Sequence, residues 1–383
     1  MIRLAQPLIG EEEKVAVQEV MDSGMLAAGE VVNDFENAFS RYVNSDYAVA
    51  TSSGTTALET ALRAAGIKEG DKVVTTPFSF IASANAILYV GAQPLFADID
   101  PYTFNMSPED LERVLKQNED IKAILIVHLY GQCCDMGKIC ELASCYDVLL
   151  IEDASQAHGA MWNGKKAGSF GDVATFSFYA TKNMTTAEGG MVTTSCEDIY
   201  RKAKILINQG MSIRYHHELI GYNYRMTNIE AAIGLCQLKK LDMFNARRRE
   251  IAHLYNEQLK QVLDIGLPFT HLEAFHIYHH YTLKVRGGKR EKLMQFLNTK
   301  GIGSCIYYPL TLPEQKCYSH LDFPKFYSVA DQIKKEVLSI PVHPALKDCE
   351  VKYITECLIE FGVEQKVATT QKKTTDLSPS QVA

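Results

Sequence analysis

The segment VLLIED at residues 148–153 is a short apolar run that ends in two carboxylates. A second run of the same kind, AILIVHL, occupies residues 123–129. Continuous apolar runs of this length are typical of strands buried on both faces, which occur in parallel sheets covered by helices. The two runs therefore predict strands of a mostly parallel central sheet.

The sequence on the amino-terminal side of these runs alternates between strand and helix patterns. YAVATSS at residues 47–53 and KVVTTP at 72–77 predict strands, and TTALETALRAAG at 55–66 predicts the helix between them. Alternation of this kind favours the α/β fold class.

The segment SPEDLERVL at residues 107–115 predicts a helix with its own start signal. Ser107 is the predicted N-cap, and Pro108 occupies the first helical position. Asp110 follows three residues after Ser107, so the segment also has the pattern of a capping box.

The chain length and the change of pattern along it indicate two domains and a tail. Residues 1–245 form the predicted large domain. Residues 246–366 form a smaller α+β domain, which begins within a long helical pattern. Residues 367–383 are polar and lack apolar periodicity, so we expect a disordered tail there.

The composition is that of an ordinary globular protein, with 46% hydrophobic and 22% charged residues among 383. A formal net charge of −7 argues against nucleic-acid binding, which usually requires a basic stripe. The ten cysteines form no CxxC pair and no zinc spacing, so we expect no metal site and a reducing, cytoplasmic location. We also expect no signal peptide and no membrane span, because no apolar run is long enough.

Several predicted strands are followed by residues suited to ligand binding, and open α/β sheets bind ligands at the carboxyl ends of strands. SSGTTAL at residues 52–58 places a glycine and hydroxyl groups at a helix N-terminus, where a phosphate can bind. Asp153 ends a buried strand, Phe80 follows another, and Lys182 ends the segment FSFYATK. Each also has an ordinary interpretation, namely N-capping, a salt bridge, a core aromatic or a solvated lysine.

Taken together, these residues match the requirements of pyridoxal 5'-phosphate. That cofactor needs a lysine for covalent attachment, an acid for its ring nitrogen and donors for its phosphate. Lys182, Asp153 and residues 52–58 are the candidates for these three tasks.

Six segments, in order along nearly the whole chain, carry a resemblance to a known family. They are SSGTTAL (52–58), PFSFIAS (77–83), IEDASQAHGA (151–160), FSFYATKNMTTAEGGMV (176–192), GYNYRMTNIEAAIGLCQL (221–238) and SIPVHPAL (339–346). With these segments the chain resembles the DegT/StrS family of fold-type I aminotransferases, which use pyridoxal phosphate and make amino sugars on nucleotide carriers. The resemblance implies a mostly parallel central sheet covered by helices, with a smaller α+β carboxyl-terminal domain.

The resemblance also implies roles for residues around the cofactor ring. Lys182 would bind the cofactor covalently and act as the base once released. Asp153 would pair with the pyridine nitrogen and keep it protonated. Gln156 would contact the ring hydroxyl, and Phe80 would stack on the ring.

The phosphate of the cofactor would be held by both subunits of a homodimer. Within one subunit the resemblance implies Gly54, Thr55 and Ser177 as phosphate contacts. Asn228 would reach the phosphate of the neighbouring subunit, so the active sites would be shared. Glu188 and the glycines that follow it are interpreted as structural.

The implied reaction is amino transfer from L-glutamate, which leaves as 2-oxoglutarate, to a nucleotide-linked keto sugar in polysaccharide biosynthesis. The loop TKNMTTAEGG at residues 181–190 resembles that of members that aminate C4 of 4-keto-6-deoxyhexoses. Amination at C3, another pyridoxal reaction such as elimination, and a non-catalytic regulator that binds a sugar nucleotide are the alternatives.

The predicted substrate contacts are His217, Tyr222, Arg225 and Tyr307. The first three precede Asn228 and could equally cap and pack their own loop. Tyr307 occupies a position where family members often carry a histidine, a departure that bears on which sugar is bound.

Overall fold

A seven-stranded sheet forms the centre of the protein, whose computed structural model describes residues 1–375. The strands are β1 (Tyr47–Thr51), β2 (Lys72–Thr75), β3 (Gln93–Phe96), β4 (Ile121–Val127), β5 (Leu149–Asp153), β6 (Met161–Trp162), β7 (Lys165–Lys166), β8 (Val173–Ser177), β9 (Gly190–Thr194), β10 (Met211–Ile213), β11 (His216–His217), β12 (Ile265–Gly266), β13 (Ala274–Phe275), β14 (Tyr281–Val285) and β15 (Val337–Ile340). The central sheet has the order β1-β9-β8-β5-β4-β2-β3. Only β9 runs antiparallel to its two neighbours, which confirms the predicted mostly parallel sheet.

The helices of residues 1–375 pack either on the two faces of this sheet or in the smaller core described below. They are α1 (Glu11–Ser23), α2 (Glu30–Val43), α3 (Gly54–Ala64), α4 (Ala82–Tyr89), α5 (Pro108–Gln117), α6 (Met136–Cys145), α7 (Glu197–Leu206), α8 (Asn228–Leu259), α9 (Arg290–Thr299), α10 (Ser328–Glu336) and α11 (Asp348–Thr375). Strand β4 shows why its sequence is apolar throughout. Ala123 and Leu125 pack into the core on one face, and Ile124 and Ile126 pack into the core on the other.

The start of α5 agrees with the sequence in part. The Ser107 hydroxyl accepts a hydrogen bond from the Asp110 N–H at 3.2 Å, and Pro108 is the first helical residue, as predicted. The predicted capping box is wrong, because its second hydrogen bond, from the Ser107 N–H to the Asp110 carboxylate, does not form. The Ser107 N–H donates to the Asp98 carbonyl instead. The Asp110 carboxylate instead accepts the Asp98 N–H and pairs with Arg113.

A second, smaller core lies around the three-stranded sheet β12-β14-β15. It includes the carboxyl-terminal half of α8, helix α9 and the first half of α11, through residues such as Tyr255, Leu293 and Ile354. The segment between Leu312 and Ile333 leaves this core and packs on the large core, where Phe323 and Tyr327 contact Phe96. The boundary at residue 245 stays a prediction, since α8 runs through it.

The carboxyl-terminal helix α11 is described as far as Thr375. Residues 367–375 are therefore helical in the structure, where the sequence predicts a disordered tail, and residues 376–383 of that tail lie outside the described residues. Among residues 1–375, none of the helices is both long and apolar enough to cross a membrane.

Candidate active site

A cavity of about 640 Å³ opens at the carboxyl ends of β1, β5 and β8. Eight of the predicted site residues line it: Gly54, Thr55, Phe80, Asp153, Gln156, Ser177, Lys182 and Tyr307. They come from strand ends and loops spread over 250 residues of sequence, and the parallel sheet gathers them at one edge.

The two carboxylates that end β5 have different surroundings, because successive side chains of a strand point to opposite faces. Glu152 is fully buried and accepts hydrogen bonds from the backbone N–H groups of Gly168, Phe170 and Gly171, besides contacting His128 at 2.9 Å. Asp153 lines the cavity instead. Glu152 therefore stabilises the fold, and Asp153 is the acid available to a ligand.

Asp153 is held by two donors. The Ser83 hydroxyl, at the start of α4, donates to Oδ2 at 2.7 Å, and the Ser155 N–H donates to Oδ1 at 3.1 Å. Asp153 is 4% exposed, so these bonds set the direction in which its carboxylate can meet a cation. Ser83 was not predicted from the sequence.

Lys182 lies one turn beyond the end of β8, where its backbone N–H donates to the Tyr179 carbonyl at 2.9 Å. Its side chain is partly exposed to the cavity. Burial lowers the pKa of the Lys182 amine from 10.5 to about 8, and the nearby charge of Asp153 only partly offsets this effect. At any pH below 10.5 a larger fraction of this amine is therefore neutral and nucleophilic than in an ordinary lysine.

Gly54 begins α3 and touches Ser177 at the end of β8. A Cβ atom at Gly54 would lie 2.6 Å from Cβ of Ser177, so a glycine is required there. Ser53 caps the helix by accepting the Thr56 N–H at 3.1 Å. The free backbone N–H groups of the first helical turn and the Thr55 and Ser177 hydroxyls form an anion cradle.

Aromatic and amide groups close the other side of the cavity. Phe80 is 57% exposed at the cavity wall, and its ring centroid lies 6.4 Å from that of Tyr308. Gln156 accepts the Tyr130 N–H at 2.8 Å, and its Nε2 donates to the Tyr308 hydroxyl at 3.2 Å. Tyr308 is a cavity residue that the sequence assigned no role.

Four predicted site residues do not line this cavity. Asn228 is buried, where its Oδ1 accepts the Val32 N–H at 3.2 Å and its Nδ2 donates to the Met25 carbonyl at 2.7 Å. It therefore organises the segment between α1 and α2 of its own chain. The predicted contact with a neighbouring subunit's phosphate stays a prediction.

The other three lie on the segment that precedes α8. His217 is exposed on the β10–β11 hairpin, with its Nδ1 2.8 Å from the Gln209 carbonyl. Tyr222 stacks on Tyr224 with ring centroids 4.7 Å apart. Arg225 donates to Asn208 Oδ1 at 2.9 Å. The interpretation that these residues pack their own loop agrees with these contacts.

The structure also adds residues that the sequence did not indicate. His279 and His280 line the cavity from just before β14, within the predicted α+β domain, where the sequence analysis assigned no site residue at these positions. Glu188, interpreted as structural, lines the cavity as well. The adjacent histidines were the signal that could have been noticed, but nothing local connects them to Lys182.

Comparison with known proteins identifies the family. A sequence model of the DegT/DnrJ/EryC1/StrS aminotransferase family matches residues 7–359. The chain belongs to this family. The match confirms the resemblance proposed from the six sequence segments.

Individual relatives match over nearly their full length. GDP-perosamine synthase of Escherichia coli O157:H7 is 39% identical over 371 residues, which cover 94% of this chain and 98% of that protein. The dTDP-3-amino-3,6-dideoxy-alpha-D-galactopyranose transaminase of Aneurinibacillus thermoaerophilus is 36% identical over 353 residues, covering 92% and 96%. The structure of DesV from S. venezuelae superposes with a TM-score of 0.88 at 32% identity, covering 92% of this chain and 94% of DesV.

This family member is a sugar aminotransferase that depends on pyridoxal phosphate. The cavity fits the cofactor, because the Gly54–Ser177 contact leaves an anion cradle that a Cβ atom would fill. The two charged groups are also suitable, because the Lys182 amine has a lowered pKa and Asp153 offers a buried carboxylate. When bound, pyridoxal phosphate supplies an electron-withdrawing ring that stabilises negative charge on the carbon that gains or loses a proton.

The residues of this chain divide the remaining work. Lys182 would anchor the cofactor and, once released, move the proton at the reacting carbon. Asp153, held by Ser83, would keep the ring nitrogen protonated. Gln156, fixed by Tyr130 and Tyr308, would orient the ring through its hydroxyl.

Proposed function

We propose that this enzyme transfers the amino group of L-glutamate to C4 of a nucleotide-linked 4-keto-6-deoxyhexose. The observation that carries the proposal is the placement, in one cavity, of the Lys182 amine and the Asp153 carboxylate beside an anion cradle. The reaction proceeds in two halves. In the first half one water supplies the keto oxygen of 2-oxoglutarate, and the amino group of glutamate stays on the enzyme. In the second half the keto carbon of the sugar takes that group and loses its oxygen as water.

The choice of C4 rests on two supports. The loop at residues 181–190 resembles that of C4-aminating members, and the 39%-identical relative is a synthase of perosamine, which carries its amino group at C4. The choice of glutamate as donor rests on the family resemblance. Lys182 is the only lysine or arginine among the described lining residues, so the cations that would pair with the carboxylates of glutamate must come from outside this cavity.

Amination at C3 is a second candidate with an observation of its own. The relative from Aneurinibacillus thermoaerophilus is by its name a 3-amino sugar transaminase, at 36% identity. Tyr307, which departs from the histidine common in the family, lines the cavity where a sugar would lie. The stereochemistry of the sugar depends on such contacts.

The substrate test uses a panel of keto-sugar nucleotides with glutamate as the donor. We expect 2-oxoglutarate to form with 4-keto-6-deoxyhexose nucleotides, and NMR of the product to place nitrogen at C4. Nitrogen at C3, or turnover only with a 3-keto uronate, would replace the C4 proposal and leave the aminotransferase in place. If the holoenzyme exchanged no amino group with glutamate, the proposal that glutamate is the donor would be wrong.

We further propose that the active unit is a homodimer with shared sites. The diphosphate of a nucleotide sugar needs cations beyond Lys182, and Arg225 and His217 lie outside the cavity of their own chain. The β10–β11 hairpin that bears His217 also exposes Ile213 and Tyr215, and Ile220, just after the hairpin, is 88% exposed. An apolar, exposed hairpin is suited to packing on a second subunit.

Subunit mixing tests the shared site. Lys182→Ala removes the amine, and Asn228→Asp keeps the acceptor for Val32 while placing a negative charge where a partner's phosphate would lie. Each variant alone should be nearly inactive. A hybrid dimer should regain one site with both native residues, and its activity should rise on exchange. Proven exchange without recovery would contradict sharing.

A further inference from the structure

The His280 imidazole lines the cavity and has no hydrogen-bond partner among the described residues. Lys182 lines the same cavity. The neighbouring His279, in contrast, bonds Asn183 Oδ1 at 3.0 Å. The His280 side chain is partly exposed and lines the cavity, so its ring nitrogens are available to hydrogen-bond a ligand there.

The ring of His280 is nevertheless held in place. It stacks on Tyr307 with centroids 4.4 Å apart and planes 21° from parallel, and it meets the edge of Tyr130 at 5.8 Å. The His280 backbone N–H donates to the Tyr130 carbonyl at 3.2 Å, and the Tyr130 hydroxyl donates to the Tyr307 carbonyl. The stacked pair is therefore rigid before any substrate binds.

The same support reaches the cofactor side of the cavity. The Tyr130 N–H donates to Gln156 at 2.8 Å, so one tyrosine positions both Gln156 and the stacked pair. A sugar bound between Gln156 and the stacked pair would have its reacting carbon near Lys182. The rest of the sugar ring would lie against His280 and Tyr307. These positions are suited to recognition of the acceptor and not to the chemistry at the reacting carbon.

Charge indicates which substrate group His280 can recognise. Burial, with a further contribution from the Lys182 charge, lowers the pKa of His280 to about 3, so the imidazole is neutral at physiological pH. A neutral imidazole has one donor and one acceptor, which matches a hydroxyl group better than a carboxylate. The Tyr307 ring offers an apolar face for the C–H groups of a sugar.

We propose that His280 and Tyr307 form a sugar-recognition wall, in which the His280 imidazole hydrogen-bonds a hydroxyl of the keto sugar and the Tyr307 stack holds it there. The inference rests on the proposed nucleotide-sugar substrate but not on whether C3 or C4 is aminated. It assigns specificity to a histidine that comes from just before β14, and not to position 307 alone.

The two halves of the reaction separate this role from a general one. His280→Leu removes the hydrogen bond, His280→Gln keeps a donor and an acceptor, and exposed His253→Leu is the matched control. Single-turnover absorbance changes give the rate with glutamate and, separately, the rate with the keto-sugar nucleotide that the wild type accepts. We expect His280→Leu to lower kcat/KM for the sugar roughly 10-fold, the value of one hydrogen bond, with the glutamate rate unchanged.

Further variants and conditions sharpen the result. His280→Gln should recover most of the sugar kcat/KM, and the ratio of wild type to His280→Leu should stay constant across neutral pH, because the imidazole does not titrate there. The recognition role would be contradicted if His280→Leu lowered the rates with sugar and glutamate equally. A lower rate with glutamate alone, or no lower rate at all, would contradict it too, provided that the wild type still transaminates. A wild type inert to every keto-sugar nucleotide would instead overturn the proposed function, and the wall with it.

Discussion

The Ser83 hydroxyl donates a hydrogen bond to Oδ2 of Asp153 at 2.7 Å and so joins the start of α4 to the end of β5. Both residues are buried, and the Ser155 N–H is the other described donor to this carboxylate. Ser83 thus positions the acid that lines the cavity and would pair with the cofactor ring.

Ser83→Ala should weaken cofactor binding, because a hydrogen bond to a charged group contributes about 1.5–3 kcal/mol. Titrating the apoenzyme with pyridoxal phosphate, followed by absorbance, measures the effect as a raised Kd. Ser40→Ala, a buried serine on α2 whose hydroxyl donates to Asn37, is the control that should leave Kd unchanged. An unchanged Kd in Ser83→Ala would contradict the positioning role.

Gly54→Ala should disrupt the anion cradle, since the new Cβ would lie 2.6 Å from Cβ of Ser177. Because the backbone fixes the position of each Cβ atom, relief requires a backbone shift, and strain of this kind costs roughly 1–3 kcal/mol. We expect a Kd for pyridoxal phosphate at least about 10-fold higher, which corresponds to about 1.4 kcal/mol. Gly137→Ala on α6, where the nearest atom would be 3.5 Å away, should bind as the wild type does.

The Lys182 amine should react with pyridoxal phosphate in a pH-dependent way. Only the neutral amine is nucleophilic, so the attachment rate of the apoenzyme should rise with pH and level off above the pKa of about 8. Stopped-flow absorbance measures this profile, and Lys182→Met should show no attachment. A midpoint near the ordinary value of 10.5 would contradict the effect of burial.

The same pKa shift has a consequence for stability. Between about 8 and 10.5 the unfolded chain binds a proton at Lys182 that the folded apoenzyme does not, so the free energy of unfolding should rise with pH across that window. Lys182→Met removes this contribution. Chemical denaturation of both proteins at several pH values should therefore give different slopes.

Glu13 should make the protein sensitive to acid, because it joins α1 to α8. Burial alone would raise its pKa, but hydrogen bonds from Lys240, the Gly10 N–H and Gln237 lower the pKa of Glu13 to about 2. Its stabilising contribution is present above 4.5 and is lost as the pH falls toward 2. Glu13→Gln should lower Tm at neutral pH and converge with the wild type in acid.

The matched control for this experiment is Glu19→Gln, an exposed position on the same helix. It should leave the pH dependence of Tm unchanged. A Glu13→Gln protein with the wild-type Tm at every pH would show that the buried bonds to Lys240 and Gln237 merely offset the cost of burying the charge.

The fold class was determined by the sequence alone, because the patterns that define it are local. Apolar runs at residues 123–129 and 148–153 predict buried strands, and both are strands of the central sheet. The place of Lys182 and Gly54 after their strands could also be predicted, since ligands meet the carboxyl ends of parallel strands. The family and its cofactor followed from those motifs and were confirmed.

The family resemblance named Asp153 as the acid, and the tertiary structure supplied the physical reason why Glu152 beside it cannot take that role. Both residues end the same strand, but the sheet places Glu152 against backbone N–H donors and points Asp153 into the ligand cavity. The meeting of Ser83 with Asp153, and of His280 with Tyr307, joins segments far apart along the chain. No local sequence pattern predicts such pairs, because packing between distant elements brings the two residues together.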